Sequence, residues 1–263
     1  RIYGTAYPTS KELKNHLRRV EEAKKRDHRL LGKQLKLFSF QPEAPGAPFW
    51  HPRGRVIWNE TLSYIRGLLS KRGYGEVGTP LIMTQDLWEK SGHWDHYHNN
   101  MYFTSLENRD YAIKPMNCPG AVLMYKSDQW SYRDLPLRWA EIGIVHRYEK
   151  SGTLHGLFRV RHITQDDAHV FCTDDQLVDE VGKLINLVTE VLNHFGMTDI
   201  EVELSTRPKD RIGSDEFWDR AEQALEGSLK ANETEYSVNE GEGAFYGPKI
   251  DFHILDSLGR SWQ

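Results

Sequence analysis

The sequence predicts an α+β fold, a largely antiparallel β-sheet with helices on its flanks. Three observations lead there. Short runs of alternating apolar residues are separated by turns rich in Gly, Pro and Asp. The helical stretches are inserted between groups of such runs rather than alternating with them as βαβ units. The 263 residues include 8 Trp, 12 Tyr and 10 Phe and are 38% hydrophobic, enough to bury a sizeable core.

The spacing predicts a long helix from Ser10 to Phe38, capped by Thr9 or Ser10, with Leu13, Leu17, Val20 and Ala23 along one stripe. The Pro-rich segment 41–48 reads as a break, the clearest boundary in the chain. A second helix is expected from Arg55 to Arg72, with Trp58, Leu62, Ile65 and Leu69 on one face and Gly73 stopping it. Residues 76–80 look like a short strand closed by Pro80, and further strands are expected at 110–114, 137–147, 158–171 and 200–206. Between them, Asp174–Phe195 is an amphipathic helix ended by Gly196, and Ser214 caps another helix through Leu229. Ile250, Phe252 and Ile254 alternate, a turn follows at 256–259, and residues 260–263 begin a paired strand. A domain does not normally stop inside such a strand, so the chain is expected to be a fragment.

Composition excludes several classes. No apolar run approaches 18 residues, so no transmembrane helix is expected. The first four residues lack the apolar stretch of a secretory signal. Two cysteines, Cys118 and Cys172, make no disulfide scaffold and fit a reducing cytosol, so a cytoplasmic protein is expected. The net charge of −4 is unevenly spread: residues 1–40 hold 11 basic against 4 acidic side chains, leaving −11 for the rest. That basic end suits either a phosphate backbone or a solvated, ion-paired helix.

The densest polar stretch runs from His146 to His169. Two strands joined by a Gly-containing loop of roughly seven residues would put Arg147 and Glu149 on one face. The same alternation would align Arg159, Arg161, Ile163, Gln165, Asp167 and His169. Such a face is a poor core surface; it is either a wall for an anionic ligand or an exposed sheet face with cross-strand ion pairs. Cys118 sits at a strand-to-helix turn, where a helix N-terminus favours thiolate. Its separation from His169 matches no zinc-finger spacing. The glycine-rich stretch 241–249 lacks the P-loop pattern, so no nucleotide site is read from it.

In their order and spacing, several segments together resemble the threonyl-tRNA synthetases, class II aminoacyl-tRNA ligases, over essentially the whole chain. They are Lys25-Arg-Asp-His28, Ala44-Pro-Gly-Ala-Pro-Phe-Trp50, Ser91-Gly-His-Trp94, Lys114-Pro-Met-Asn-Cys-Pro-Gly120, the arginine-bearing strand pair, Gln165-Asp-Asp-Ala-His169, Leu204-Ser-Thr-Arg-Pro208 and Gly243-Ala-Phe-Tyr-Gly-Pro-Lys249. The resemblance implies a six- to seven-stranded antiparallel sheet and a homodimer formed through the first class motif, here the 55–72 helix and Pro80. It implies ATP-driven activation of threonine, with Mg²⁺ accompanying ATP, and transfer to tRNA(Thr). On this likeness, residues 1–40 are a basic linker helix, and 41–263 are the catalytic domain, cut before the third class motif.

By position, the resemblance makes Arg147 and Glu149 contacts to the ATP α-phosphate and adenine edge, and Arg159 the γ-phosphate arginine. Fixed guanidiniums of this kind stabilise charge that gathers on phosphorus oxygens in the transition state. Cys118 and His169 become two of three zinc ligands, the third lying beyond Gln263. Met116, Gln165, Asp167, Tyr246 and Gln263 become the threonine site, with His93 and Lys249 among the catalytic groups. One departure stands out: an aromatic residue usually stacks on adenine where this chain has Ile163, with His162 beside it. Such stacking is worth about 0.5–1.5 kcal/mol beyond area burial. That departure leaves room for a non-catalytic relative that binds threonine, zinc or tRNA without activating an amino acid. A zinc hydrolase on a similar sheet is the other alternative, but no H-E-x-x-H occurs.

Overall fold

Helix α1 (Ser10–Lys25) starts where expected, with the Thr9 hydroxyl accepting the Glu12 amide at 3.2 Å. It does not run on to Phe38. In the computed structural model, which describes residues 4–256 and 259–263, the Asp27 carboxylate accepts the Arg29 amide at 2.8 Å and its guanidinium at 2.6 Å. An aspartate that caps locally competes with helix continuation, and a new helix, α2 (His28–Gln34), begins there. Lys36, at φ 54°, then turns the chain left-handed as Leu37 N–H closes onto Gly32 O at 2.8 Å. Strand β1 (Phe38–Phe40) follows and pairs antiparallel with β2 (Pro48–Trp50), so the Pro-rich segment 41–48 is the connection of a hairpin.

The chain divides into two units, residues 32–176 and residues 1–31 with 177–263. In the first, α3 (Pro52–Lys71) buries Ile65, Leu68 and Leu69 on the face its periodicity marks. Gly54 lets the Leu37 carbonyl approach closer than any Cβ would allow. Strand β3 (Gly75–Glu76) pairs parallel with the ten-residue strand β7 (Leu137–His146), which pairs antiparallel with β8 (His162–Phe171) from Leu137↔Phe171 to His146↔His162. A second sheet joins β4 (Ile82–Thr84), β5 (Tyr102–Leu106) and β6 (Arg109–Ile113) in the order β4-β6-β5. Trp88 from α4 (Gln85–Lys90), Met101 and Ala112 form its buried cluster, against which Trp94 and Tyr97 of α5 (His93–Tyr97) pack. Helix α6 (Cys118–Lys126) follows β6 after a four-residue loop.

The strand expected over 158–171 begins only at His162, and the connection runs over 147–161 with a short 3₁₀ turn at 151–153. Tertiary bonds explain the difference. Arg161 N–H donates to Gly46 O at 2.7 Å, and the His155–Arg159 bridge closes the loop on itself, taking those backbone groups out of the ladder.

In the other unit, α7 (Leu177–His194) ends at Gly196 (φ 76°), and α8 (Asp215–Ala231) is capped by Ser214, as expected. Strands β9 (Ile200–Ser205), β10 (Ser237–Asn239), β11 (Lys249–Leu255) and β12 (Ser261–Trp262) lie in the order β10-β9-β11-β12. Ile185, Val202, Leu204 and Leu229 make the core, with Ile250 and Phe252 packed against them. Of the turn expected at 256–259, Ser257 and Leu258 lie outside the described residues, as do Arg1, Ile2 and Tyr3. Antiparallel pairing predominates, but β3–β7 and β9–β10 are parallel. Among the described residues the strands form sheets of two, three, three and four strands rather than one sheet of six or seven. No helix of the described residues is long and apolar enough to cross a membrane.

Candidate active site

Strand β8 alternates, so Ile163, Gln165, Asp167 and His169 share a face. The loop before α6 reaches this face. Asn117 Nδ2 donates to Asp167 Oδ2 at 2.9 Å and to Gln165 Oε1 at 3.3 Å. Next to it Cys118 opens α6, and the ligand atoms of Cys118, Asp167 and His169 lie within 4.8 Å of one another. Burial and the Asp167 charge push the Cys118 thiol up to about 11. The helix-start effect expected from the sequence acts in the other direction and is outweighed. Thiol, imidazole and carboxylate are a donor set that suits zinc, and coordination deprotonates the thiol outright. The three residues therefore fit a metal; the sequence pointed to Cys118 and His169 as ligands, and Asp167 as a neighbouring donor emerges only from the strand register.

The arginines are not on a strand face. Arg147 lies just past β7, with Nε donating to Pro115 O at 3.1 Å, which ties it to the loop that carries Cys118. Arg159 lies in the 147–161 connection, where its Nε donates to the Glu149 carboxylate at 2.9 Å; its side chain is 54% exposed. Arg161 was aligned with these by alternation, but it braces the loop instead: Nε donates to Glu149 O at 2.9 Å, and the guanidinium lies 5.2 Å from the Tyr148 ring centre. Ile163 faces Val145 across the ladder. His162 does not compensate for it, because it points to the opposite face and stacks on His146 at 4.9 Å and 3°.

His93 is buried at the start of α5, edge-on to Trp88 and Tyr97. Its Nδ1 is 2.9 Å from Ser91 Oγ and its Nε2 3.2 Å from the Met116 sulfur. Burial lowers its pKa, which favours the neutral ring. His93 and Met116 are thus brought together at the base of the Asn117–Cys118 turn. Beneath the same loop lies a pair that sequence reasoning missed. Lys114 Nζ donates to Glu141 Oε1 at 2.8 Å and Thr79 Oγ1 at 2.7 Å, with the Lys114 and Glu141 side chains 2% and 5% exposed. Nothing in an isolated Lys or Glu marks it for burial; β7 alternation offered the one available signal.

The remaining predicted residues belong to the other unit. Tyr246 is exposed, its ring 5.0 Å from Phe245. Lys249, at the start of β11, holds Asp251 Oδ2 at 2.5 Å, Ser205 Oγ donates to the same oxygen at 2.6 Å, and Gln263 Nε2 donates to Oδ1. Asp251, buried and unassigned from the sequence, is the hub that links Lys249 with Gln263. Its place two residues along the strand from Lys249 was the signal.

Residues 102–263 match the family model described as the tRNA synthetase class II core domain (G, H, P, S and T). Over all 263 residues the chain is 57% identical to a threonine–tRNA ligase of Desulforamulus reducens and 56% identical to one of Finegoldia magna. It spans 41% of the length of each of these relatives. Among solved structures, the RNA-binding domain of the Cryptosporidium parvum threonyl-tRNA synthetase superposes with a TM-score of 0.84 at 44% identity, covering 90% of this chain and 60% of that one. The β7–β8 hairpin, with Arg147, Glu149 and the Gln165–His169 face on it, lies inside the matched segment, and the chain belongs to the class II tRNA synthetase core family.

Proposed function

We propose that the full-length protein is a threonine–tRNA ligase. The observation that carries this reading is the grouping of Gln165, Asp167 and His169 of β8 with Cys118 of α6, beside the loop whose Pro115 carbonyl also holds Arg147. In the first step the threonine carboxylate attacks the α-phosphorus of ATP, which Mg²⁺ accompanies; pyrophosphate leaves and threonyl-adenylate forms. In the second, a terminal ribose hydroxyl of tRNA(Thr) attacks the activated carbonyl and AMP leaves.

Arg147 and Glu149 bind the α-phosphate and adenine edge, and Arg159 exchanges its Glu149 contact for the γ-phosphate. Ile163 offers adenine an apolar wall in place of a stacking ring. Gln165, Asp167, Met116, Tyr246 and Gln263 are assigned to threonine binding, with His93 and Lys249 as the further catalytic groups. Cys118 and His169 are the residues that would hold zinc. Zinc held there would act as a Lewis acid toward a substrate amine and hydroxyl. The reading includes residues 1–40 as a lead into a catalytic domain over 41–263, a homodimer through α3 and Pro80, and a cytoplasmic location.

Threonine-dependent ATP–pyrophosphate exchange by the full-length protein, with metal analysis alongside, tests this. One zinc per chain is expected, and Cys118→Ser or His169→Ala should lose zinc and exchange together. A site that engages a hydroxyl should reject valine by about 10⁴-fold or more, whereas serine, lacking only a methyl, should be disfavoured by about 10–200-fold. Active metal-free protein, or comparable use of valine, overturns the reading; amino-acid binding without exchange favours the non-catalytic relative.

A further inference from the structure

Asn117 is fully buried and spends its amide nitrogen on two side chains of the β8 face, Asp167 and Gln165. Because a carboxylate accepts and does not donate, the 2.9 Å contact with Asp167 fixes which end of the amide points there. The other end, Oδ1, is left buried without a hydrogen-bond partner. An unsatisfied buried acceptor is destabilising, and one that persists calls for an explanation. Space for the amide is made by Gly143, directly across the ladder from Gln165; a Cβ at Gly143 would overlap the Asn117 side chain.

The consequence is chemical. With Oε1 engaged by Asn117, the unengaged end of Gln165 is its NH₂, which only donates. With Oδ2 engaged, the unengaged end of Asp167 is Oδ1, which only accepts. Two neighbouring side chains, one free to rotate its amide and one symmetric, become a fixed donor beside a fixed acceptor. That pair complements a ligand presenting an anionic oxygen beside an N–H or O–H, as an α-amino acid with a side-chain hydroxyl does. We infer that Asn117, in the space left by Gly143, is a positioning residue that sets the hydrogen-bond polarity of Gln165 and Asp167 and so governs amino-acid affinity and choice. This rests on the proposed threonine activation and adds to it a residue that touches no substrate.

The test uses the full-length protein, with KM for threonine and for ATP measured separately in pyrophosphate exchange, and zinc content measured beside them. Asn117→Asp keeps the shape but turns a donor into an acceptor against Asp167, so the threonine KM should rise at least 30-fold. The ATP KM should stay within twofold and zinc should be retained. Gly143→Ala, which leaves the Asn117 chemistry intact and displaces it, should move the threonine KM in the same direction by about tenfold. Asn117→Ala combined with Gln165→Ala should fall short of the product of the two single effects, because part of the Asn117 effect acts through Gln165.

An unchanged threonine KM overturns the inference, as do equal changes for threonine and ATP, loss of zinc with the threonine effect, or additive single effects. If both Asn117→Asp and Gly143→Ala unfold, the residue is structural and the inference is likewise overturned. A wild-type protein without exchange fails the parent reading instead. The same variants are then compared by the thermal shift that L-threonine produces: a shift lost in the variants supports the positioning role, and no shift in the wild type overturns both.

Discussion

Two ion pairs in the 32–176 unit are built from similar groups and differ in almost everything else. Lys114–Glu141 is sealed under the Asn117–Cys118 loop, and both charged ends also bond Thr79. Arg159–Glu149 sits in the connection between β7 and β8, with the Arg159 side chain more than half exposed. The first holds three segments at one point: the stretch before β4, the end of β6 and the middle of β7. The second holds only its own loop, and water or a phosphate oxygen can replace the carboxylate at little cost. Burial therefore separates a charge that shapes the site from a charge that is available to work in it.

The largest effect is expected from breaking the buried pair. Lys114→Met leaves Glu141 buried without its cation, which typically costs about 3–5 kcal/mol. A urea titration of the full-length protein should show that loss. Replacing both partners with apolar residues of similar volume should recover much of it, since a well-packed apolar pair is often neutral relative to a buried ion pair. A loss below about 1 kcal/mol for Lys114→Met would erase the contrast drawn between the pairs.

The two arginines assigned to ATP should show the reverse pattern. Arg147→Ala should slow threonine activation by the equivalent of about 2–4 kcal/mol, the scale of losing a transition-state charge partner. Arg159→Ala should also slow activation while changing stability by only about 0–1 kcal/mol, as for other exposed ion pairs. Near-wild-type exchange by Arg147→Ala would remove it from the phosphate site. A large stability loss in Arg159→Ala would mean that its loop depends on the pair after all.

The same contrast explains what could be read from the sequence. The amphipathic helices α3, α7 and α8 and the strands β7, β9 and β11 were legible because apolar spacing reports which face is buried. The motif residues on β8 were legible because alternation put Gln165, Asp167 and His169 together. The break at Asp27 was not, since a local carboxylate–amide contact overrode a helical pattern that continued past it. Arg159 and Arg161 were misplaced on a strand for a different reason: their backbone groups are taken by Gly46 and His155, and no local pattern marks that. Asn117, Lys114, Glu141 and Asp251 escaped because a polar residue's burial depends on partners far along the chain.

The smallest effect concerns two polar side chains that have found no such partners. His146 and His162 stack at the end of the β7–β8 ladder, with His146 Nδ1 and His162 Nε2 buried and unbonded. Burial lowers both pKa values, and for His146 the charge of His162 adds to it. In the unfolded chain both rings titrate near the ordinary value of about 6.5. Below that pH the unfolded state binds protons that the native state does not. Their contribution is therefore fully present above about pH 6.5 and falls as the pH drops towards the lower native values. The carboxylates held low by arginines, such as Glu76 and Glu222, lose their contribution only at more acidic pH, below the usual carboxylate value. Asp166, whose carboxyl is raised by burial and by Asp167, works in the opposite direction, so the informative quantity is a difference between proteins. Urea midpoints between pH 7.5 and 5.5 should fall more steeply for the wild type than for His162→Gln, which removes one of the two rings. Equal slopes would mean that the stacked pair takes up its proton as readily folded as unfolded, and that burial at this end of the hairpin imposes no cost on charge.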